Sequence, residues 1–143
     1  MDINQILSKK PYRQFIKFTI VGGAATAIDW AAFFVVREAL TSILPIKLQI
    51  IKQIAKAITF ILSASFSFSF NRRWTFRSQG KISHESVKFL VVSLGGLAIN
   101  SVIFFIVTSE LKLYDIFGLI IATAIVFFWN FIMNKKWTFK VRP

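Results

Sequence analysis

The segment Asn71-Arg72-Arg73-Trp74-Thr75-Phe76 returns 63 residues later as Asn134-Lys135-Lys136-Trp137-Thr138-Phe139, with four positions identical and the other two keeping their charge. Upstream, Lys17-Phe18 and Asp29 realign with Lys88-Phe89 and Asn100 at an offset of 71. The chain is therefore read as two copies of one unit, repeat 1 over 15–76 and repeat 2 over 86–139. Because the offset falls from 71 to 63, the second copy is 8 residues shorter, and the deficit is assigned to its external loop, where the first copy has the longer Arg37 to Gln49 connection.

Each copy contains two apolar runs of a length that crosses about 30 Å of hydrocarbon. They are Phe15–Val36, Ile50–Phe70, Val87–Ser109 and Ile116–Met133, read as four transmembrane helices of a single domain, 1–143. Composition agrees: of 143 residues, 55% are hydrophobic, 17 are Phe and only 17% are charged, against roughly 25% charged in soluble domains. The expected class is an all-α membrane protein. The first run is too long for a cleavable signal peptide, carries Asp29, and has no small-residue cleavage site ahead of a soluble domain.

The formal charge of +12 invites a nucleic-acid reading, but its distribution points elsewhere. Of the 18 cations, 13 fall on the N-terminal arm (Lys9, Lys10, Arg13, Lys17), the central loop (Arg72, Arg73, Arg77, Lys81, Lys88) and the C-terminal tail (Lys135, Lys136, Lys140, Arg142). The opposite side has Arg37, Lys47, Lys52, Lys56 and Lys112. By the positive-inside bias both termini are expected in the cytoplasm, so that each repeat enters and leaves on that side. The repeats are then parallel, related by an axis along the membrane normal. No nucleic-acid partner is expected.

Chemistry is narrowed by what is missing. With no Cys there are no disulfides or thiolate nucleophiles, and the single His84 makes no zinc cluster. The six acids, Asp2, Asp29, Glu38, Glu85, Glu110 and Asp115, do not pair at a plausible site. Neither an enzyme, nor a metal, nor a cofactor is expected.

Two readings of the repeated hexapeptide stand side by side. Paired cations complement the negative end of a helix dipole, and Trp and Phe suit the aromatic belt, so the motif serves as an anchor. Alternatively, Asn71, Arg72, Arg73, Trp74, Asn134, Lys135, Lys136 and Trp137 form phosphate-plus-sugar sites, cations engaging phosphate and indole faces packing on a sugar. Duplication of the whole hexapeptide, its Thr and Phe included, exceeds what anchoring requires.

Polar residues within the runs suggest a path. Lys52, Lys56, Thr59, Ser63 and Ser67 fall on one face of helix two, Thr19, Gly22, Thr26 and Asp29 lie in helix one, Ser93, Gly96 and Asn100 in helix three, and Thr123, Asn130 and Asn134 in helix four. Taken singly, the hydroxyl and glycine positions are equally the mark of close helix packing in lipid. Charges carry more information. At 1.5 Å per residue, Asp29 lies about 18 Å beyond Lys17 and Lys56 about 22 Å before Asn71. An ionised group at such depth costs roughly 3 kcal/mol, which favours an Asp29–Lys56 pair facing a polar cavity. The alternative is that Lys56 snorkels to the external interface. The repeat replaces Asp29 by Asn100 and Lys56 by Leu119, so the deep charge belongs to the first half alone.

On these residues the chain resembles GtrA-like proteins, small four-helix membrane proteins associated with moving polyprenyl-phosphate-linked sugars across the bacterial cytoplasmic membrane. The likeness runs from Phe15 to Phe139 and rests on Phe18, Val21, Gly22, Thr26 and Asp29, on Asn71, Arg72, Trp74, Thr75 and Phe76, and on the second copy at Asn134 to Phe139. Lys135 departs from it, because an ammonium lacks the bidentate geometry of Arg72. The resemblance implies a multi-pass protein of the cytoplasmic membrane acting as a flippase. Its cargo would be a lipid-linked monosaccharide, its partners glycosyltransferases that decorate a surface polymer. Arg72, Arg73, Lys135 and Lys136 would capture the phosphate, Trp74 and Trp137 would pack on sugar or prenyl, Thr59, Ser63 and Ser67 would replace headgroup water, and Lys56 would take the phosphate deeper with Asp29 tuning it. Nothing resembles a nucleotide-binding loop, so the expected drive is the lipid gradient, the membrane potential or protons.

Two rivals are weighed. A small multidrug exporter would use Asp29 for proton exchange, but the basic segments and Lys56 would repel an organic cation. A non-transporting scaffold for a glycosyltransferase stays open. Four short helices leave little room for a headgroup, which favours a homo-oligomer with Gly22, Gly23, Gly95 and Gly96 at close helix contacts; packing within one protomer is the competing use of those glycines.

Overall fold

The computed structural model describes residues 10–140, Lys10 by its backbone alone. Asp2, Lys9 and Arg142, with the side chain of Lys10, lie outside the described residues. Four helices follow one another: α1 Lys10–Ile43, α2 Leu48–Phe70, α3 Ile82–Phe105 and α4 Asp115–Met133. The last three each widen into one π-helical turn, Asn71–Thr75, Ile106–Glu110 and Asn134–Thr138. All four are long and apolar enough to cross a membrane. The protein is an all-α, multi-pass membrane protein.

The helices outrun their apolar cores. Hydropathy delimits the part of α1 suited to hydrocarbon, 15–36, whereas the backbone ladder needs no apolar side chains and continues from Lys10 to Ile43. At 34 residues, α1 is about 51 Å long, well beyond a 30 Å bilayer core. The expected long external loop of the first half is corrected in the same way. Both hairpins turn through four residues, 44–47 and 111–114. The offset of 71 aligns Glu110, the end of the first membrane-crossing stretch of the second hairpin, with Ala39, four residues short of Ile43. The offset of 63 aligns Asp115 with Lys52, four residues after the start of α2. The eight extra residues therefore extend both helices by about one turn each.

The chain divides into two compact units, Met1–Arg77 and Ser78–Pro143, each a helical hairpin. In the first, α2 buries Ile51, Ala55, Thr59 and Ser63. These are spaced by four, a ridge whose last three side chains are small and let α1 approach with its own buried Phe18, Val21 and Ala25. In the second, α3 buries Phe89, Val92 and Gly96 and α4 buries Gly118 and Ala122. Two glycines there sit at points of close approach: a Cβ on Gly96 would lie 3.1 Å from Asn130 Oδ1 and 3.2 Å from Val126 Cγ1, and one on Gly118 would lie 2.8 Å from Thr108 Cγ2. Trp129 packs over Gly95 and its indole N–H donates to the Val92 carbonyl at 3.1 Å. Gly95 and Gly96 thus serve packing within their own hairpin. Gly22 and Gly23 differ, with nothing within 4 Å of either Cβ position. Trp30, Val35, Ile61 and Leu97 are exposed, as lipid-facing side chains of a membrane hairpin must be.

Candidate functional site

The repeated hexapeptide folds the same way twice. In each copy the last residue closes an i→i−5 bond, Phe76 N–H to Asn71 O and Phe139 N–H to Asn134 O, both at 2.8 Å. At 100° per residue Asn71 and Phe76 would point about 140° apart; the wider ring brings the sixth residue under the first. Asn, Thr and Phe therefore all turn inward, and Asn71, Thr75, Phe76, Asn134, Thr138 and Phe139 are buried. The paired cations and Trp are left outside: Arg73, Trp74, Lys136 and Trp137 are exposed, Arg72 and Lys135 half-buried. One hexapeptide thus divides into a buried staple and an exposed cationic, aromatic face. π-Turns of this kind concentrate at functional positions.

The helix that enters each hairpin holds this face in place. Lys17 Nζ donates to the Trp74 carbonyl at 3.3 Å and stands 4.9 Å from the Trp74 ring centroid. Lys88 does the same with Trp137 at 3.4 Å and 5.5 Å. Phe18 meets Phe76 at 6.1 Å and Phe89 meets Phe139 at 6.2 Å between centroids. A cation over an indole and a donor on one of the last helical carbonyls are each stabilising. Neither lysine was among the expected site residues. Their signal was the recurrence of Lys-Phe at the offset of 71, which aligned the repeats without naming a partner.

In the first hairpin this face borders a cavity of about 500 Å³ lined by Ile20, Val21, Ala24, Phe66, Ser69, Phe70, Arg73 and Trp74. Its wall is almost wholly apolar and ends at one guanidinium and one indole. In the second hairpin, Lys136 and Trp137 border a polar cavity of about 660 Å³. Lys135 instead stands over the Phe131 ring one turn back, 5.6 Å from its centroid.

The expected deep pair forms: Lys56 Nζ donates to Asp29 Oδ2 in an ion pair. Its burial is lopsided, the Asp29 side chain 15% exposed and that of Lys56 56%. Thr59, fully buried, lies beside the same carboxylate. The polar stripe of α2 is different in kind from an open path. Thr59 and Ser63 are in the helix–helix seam, and their hydroxyls donate to their own helix, to Lys56 O at 3.3 Å and Phe60 O at 3.1 Å. Ser67 accepts from Asn71 Nδ2 at 3.2 Å. Thr26 is exposed and donates to the Gly22 carbonyl at 3.0 Å. Asn100 is half-buried on α3, and the Asn130 carbonyl accepts from Asn134 Nδ2 at 2.8 Å. Among the described residues no group of three His, Cys, Asp or Glu could hold a metal.

What the arrangement can do follows from its parts: a fixed cation and indole at the mouth of an apolar cleft fit an amphiphile with an anionic head, and a half-exposed deep lysine offers a second anion site. A family profile described as "GtrA/DPMS, transmembrane domain" matches residues 17–139. No curated protein matches the chain.

Proposed function

Because the chain belongs to the GtrA/DPMS transmembrane-domain family, we propose that it translocates a polyprenyl-phosphate-linked monosaccharide across the cytoplasmic membrane, supplying glycosyltransferases that decorate a surface polymer. The observation that carries this reading is the cleft of the first hairpin. Ile20, Val21, Ala24, Phe66 and Phe70 offer a prenyl chain an apolar seat, while Arg73 and Trp74 stand at one end of it. A guanidinium matches a phosphate bidentately and an indole face packs on a sugar or an isoprene unit. Arg72 extends the cationic edge, and Lys135 and Lys136 repeat it in the second hairpin as ammonium groups.

Lys56 is the next station. Over half of its side chain is exposed while it holds Asp29, so a phosphate that reaches this depth shares the ammonium with the carboxylate, and neither Lys56 nor Asp29 loses its partner. That keeps a charge compensated where it costs roughly 3 kcal/mol to leave it bare. The same pair weighs against a proton-coupled exporter of cations, whose acid must be available to its substrate.

The test is transbilayer movement of a polyprenyl-phosphate hexose in proteoliposomes. Wild type is expected to accelerate it, and Arg73→Ala or Lys56→Met to slow it at least about tenfold, the loss of one charge-assisted phosphate contact. Folded protein that leaves the lipid in its original leaflet overturns the proposal in favour of the scaffold.

A further inference from the structure

The cavity of the second hairpin has a lining unlike that of the first. Around its roughly 660 Å³ stand Lys81, His84 and Lys88 from the start of α3, Lys136 and Lys140 from the exit of α4, and the carboxylate of Glu85. Four ammonium groups against one carboxylate leave three positive charges with His84 neutral. The volume falls among ordinary small-molecule sites.

Two features separate it from a solvated patch of orienting lysines. The first is that its acid is already engaged. Glu85 is buried at 5% exposure, and Ser78 Oγ donates to its Oε1. The same Ser78 hydroxyl accepts from the Gly80 N–H at 3.3 Å. Gly80 lies close against that side chain, since a Cβ there would come within 2.9 Å of the Glu85 carboxyl carbon and displace the carboxylate. The carboxylate therefore braces the 78–80 loop and builds the wall. The ion pairs among the described residues, Arg37–Glu38 and Lys56–Asp29, involve none of the four cavity lysines. The second feature is a donor without an acceptor. Thr138 lines the cavity, is 3% exposed, and its Oγ1 is buried with no hydrogen-bond partner. Thr75 Oγ1 at the same place in the first copy is in the same state, but only Thr138 lines a cavity ringed by lysines, where a turn of its side chain would bring the hydroxyl to an arriving acceptor and recover the cost of the missing bond.

We propose that this cavity is a binding site for a phosphoryl ligand of at least two negative charges, a diphosphate or a phosphate monoester, held by Lys81, Lys136 and Lys140 with the Thr138 hydroxyl as a neutral donor. Lys88, kept over the Trp137 ring, adds field. Two sources present this chemistry, a water-soluble diphosphate and the headgroup of an anionic lipid. The site stands independently of translocation.

The experiment has two arms on full-length protein. Titration calorimetry in neutral detergent uses inorganic pyrophosphate, with sulfate at matched ionic strength as reference. Native mass spectrometry uses short-chain phosphatidic acid against phosphatidylcholine. One saturable site is expected, weakened at least about tenfold in Lys81→Ala/Lys140→Ala, and unchanged in Lys47→Ala/Lys112→Ala, which removes equal charge from the two interhelical connections. At 0.15 M salt, screening over about 8 Å makes this contrast local. Should the double variant fail to fold, Lys140→Ala alone, exposed at the end of the described chain, takes its place. Pyrophosphate binding assigns a soluble ligand, and phosphatidic acid binding without pyrophosphate assigns a lipid headgroup. Binding of neither, or equal loss in both double variants, overturns the site. Neither arm measures transport, so a protein that binds pyrophosphate yet moves no lipid keeps this site and loses the flippase reading.

Discussion

The two hairpins share one exit and differ in what lies behind it. Both end in the same π-turn, and both clasp its Trp with a lysine from the entering helix. Behind that common frame, the first hairpin carries an apolar cleft and a deep ion pair, while the second carries a cation-lined cavity and a seam of glycine, tryptophan and asparagine. Duplication preserved what holds the exit together and released what stands around it. The comparison teaches which residues of the repeated motif are common frame (Asn, Thr, Phe and the clasped Trp) and which have changed between the copies (the two cations).

The largest effect should come from breaking the feature that only the first hairpin has. Lys56→Met strands a mostly buried carboxylate and is expected to cost about 3 kcal/mol of stability. Asp29→Asn leaves a lysine that reaches solvent or headgroups, and should cost about 1 kcal/mol. Denaturation in detergent micelles measures both, and combining the two substitutions should recover most of the loss. Equal costs for the singles would mean that burial of the pair is symmetric.

Next comes the glycine contrast. Gly96→Leu forces a side chain against Asn130 and Val126 and should destabilise by about 2 kcal/mol. Gly22→Ala meets nothing within 4 Å and should gain up to about 1 kcal/mol from helix propensity. A loss at Gly22 without unfolding of the hairpin, read alongside the oligomeric state, would place a second copy of the chain on that face.

The smallest effect tests what the hairpins share. Lys17→Ala and Lys88→Ala each remove one cation–π contact and one bond to a carbonyl, worth about 1 kcal/mol. Both should change the fluorescence of their own tryptophan, Trp74 or Trp137. Single-Trp variants separate the signals, and unequal costs would show that the clasp, too, has diverged.

Much of this was legible in the sequence, for particular reasons. Hydropathy marks the four helices because lipid admits no alternative for the backbone. Asp29 and Lys56 meet because helical rise puts them at one depth, where an unpaired charge is costly. The π-turns were not legible: side-chain periodicity gives no notice of a backbone that changes its hydrogen-bond register, so which motif residues turn inward could not be read. Thr59 and Ser63 show a different limit. Small hydroxyl residues at a spacing of four suit a polar path and a tight seam equally, and only the burial of α2 against α1 separates them. The cavity built around Lys81 and Lys140 escaped because its walls come from opposite ends of a hairpin, joined through the Lys88–Trp137 contact, and because one wall is braced by a Ser78–Glu85 bond that no short motif announces.

The most direct test of the division of labour is photocrosslinking with a polyprenyl-phosphate hexose, a phosphodiester of one negative charge, that carries a photoreactive group near its phosphate, followed by peptide mapping. Adducts confined to the first hairpin, on Ile20 to Ala24 and Phe66 to Trp74, are predicted. Adducts spread equally over both hairpins, or concentrated on Gln79 to Lys88 and Lys136 to Lys140, would contradict the account.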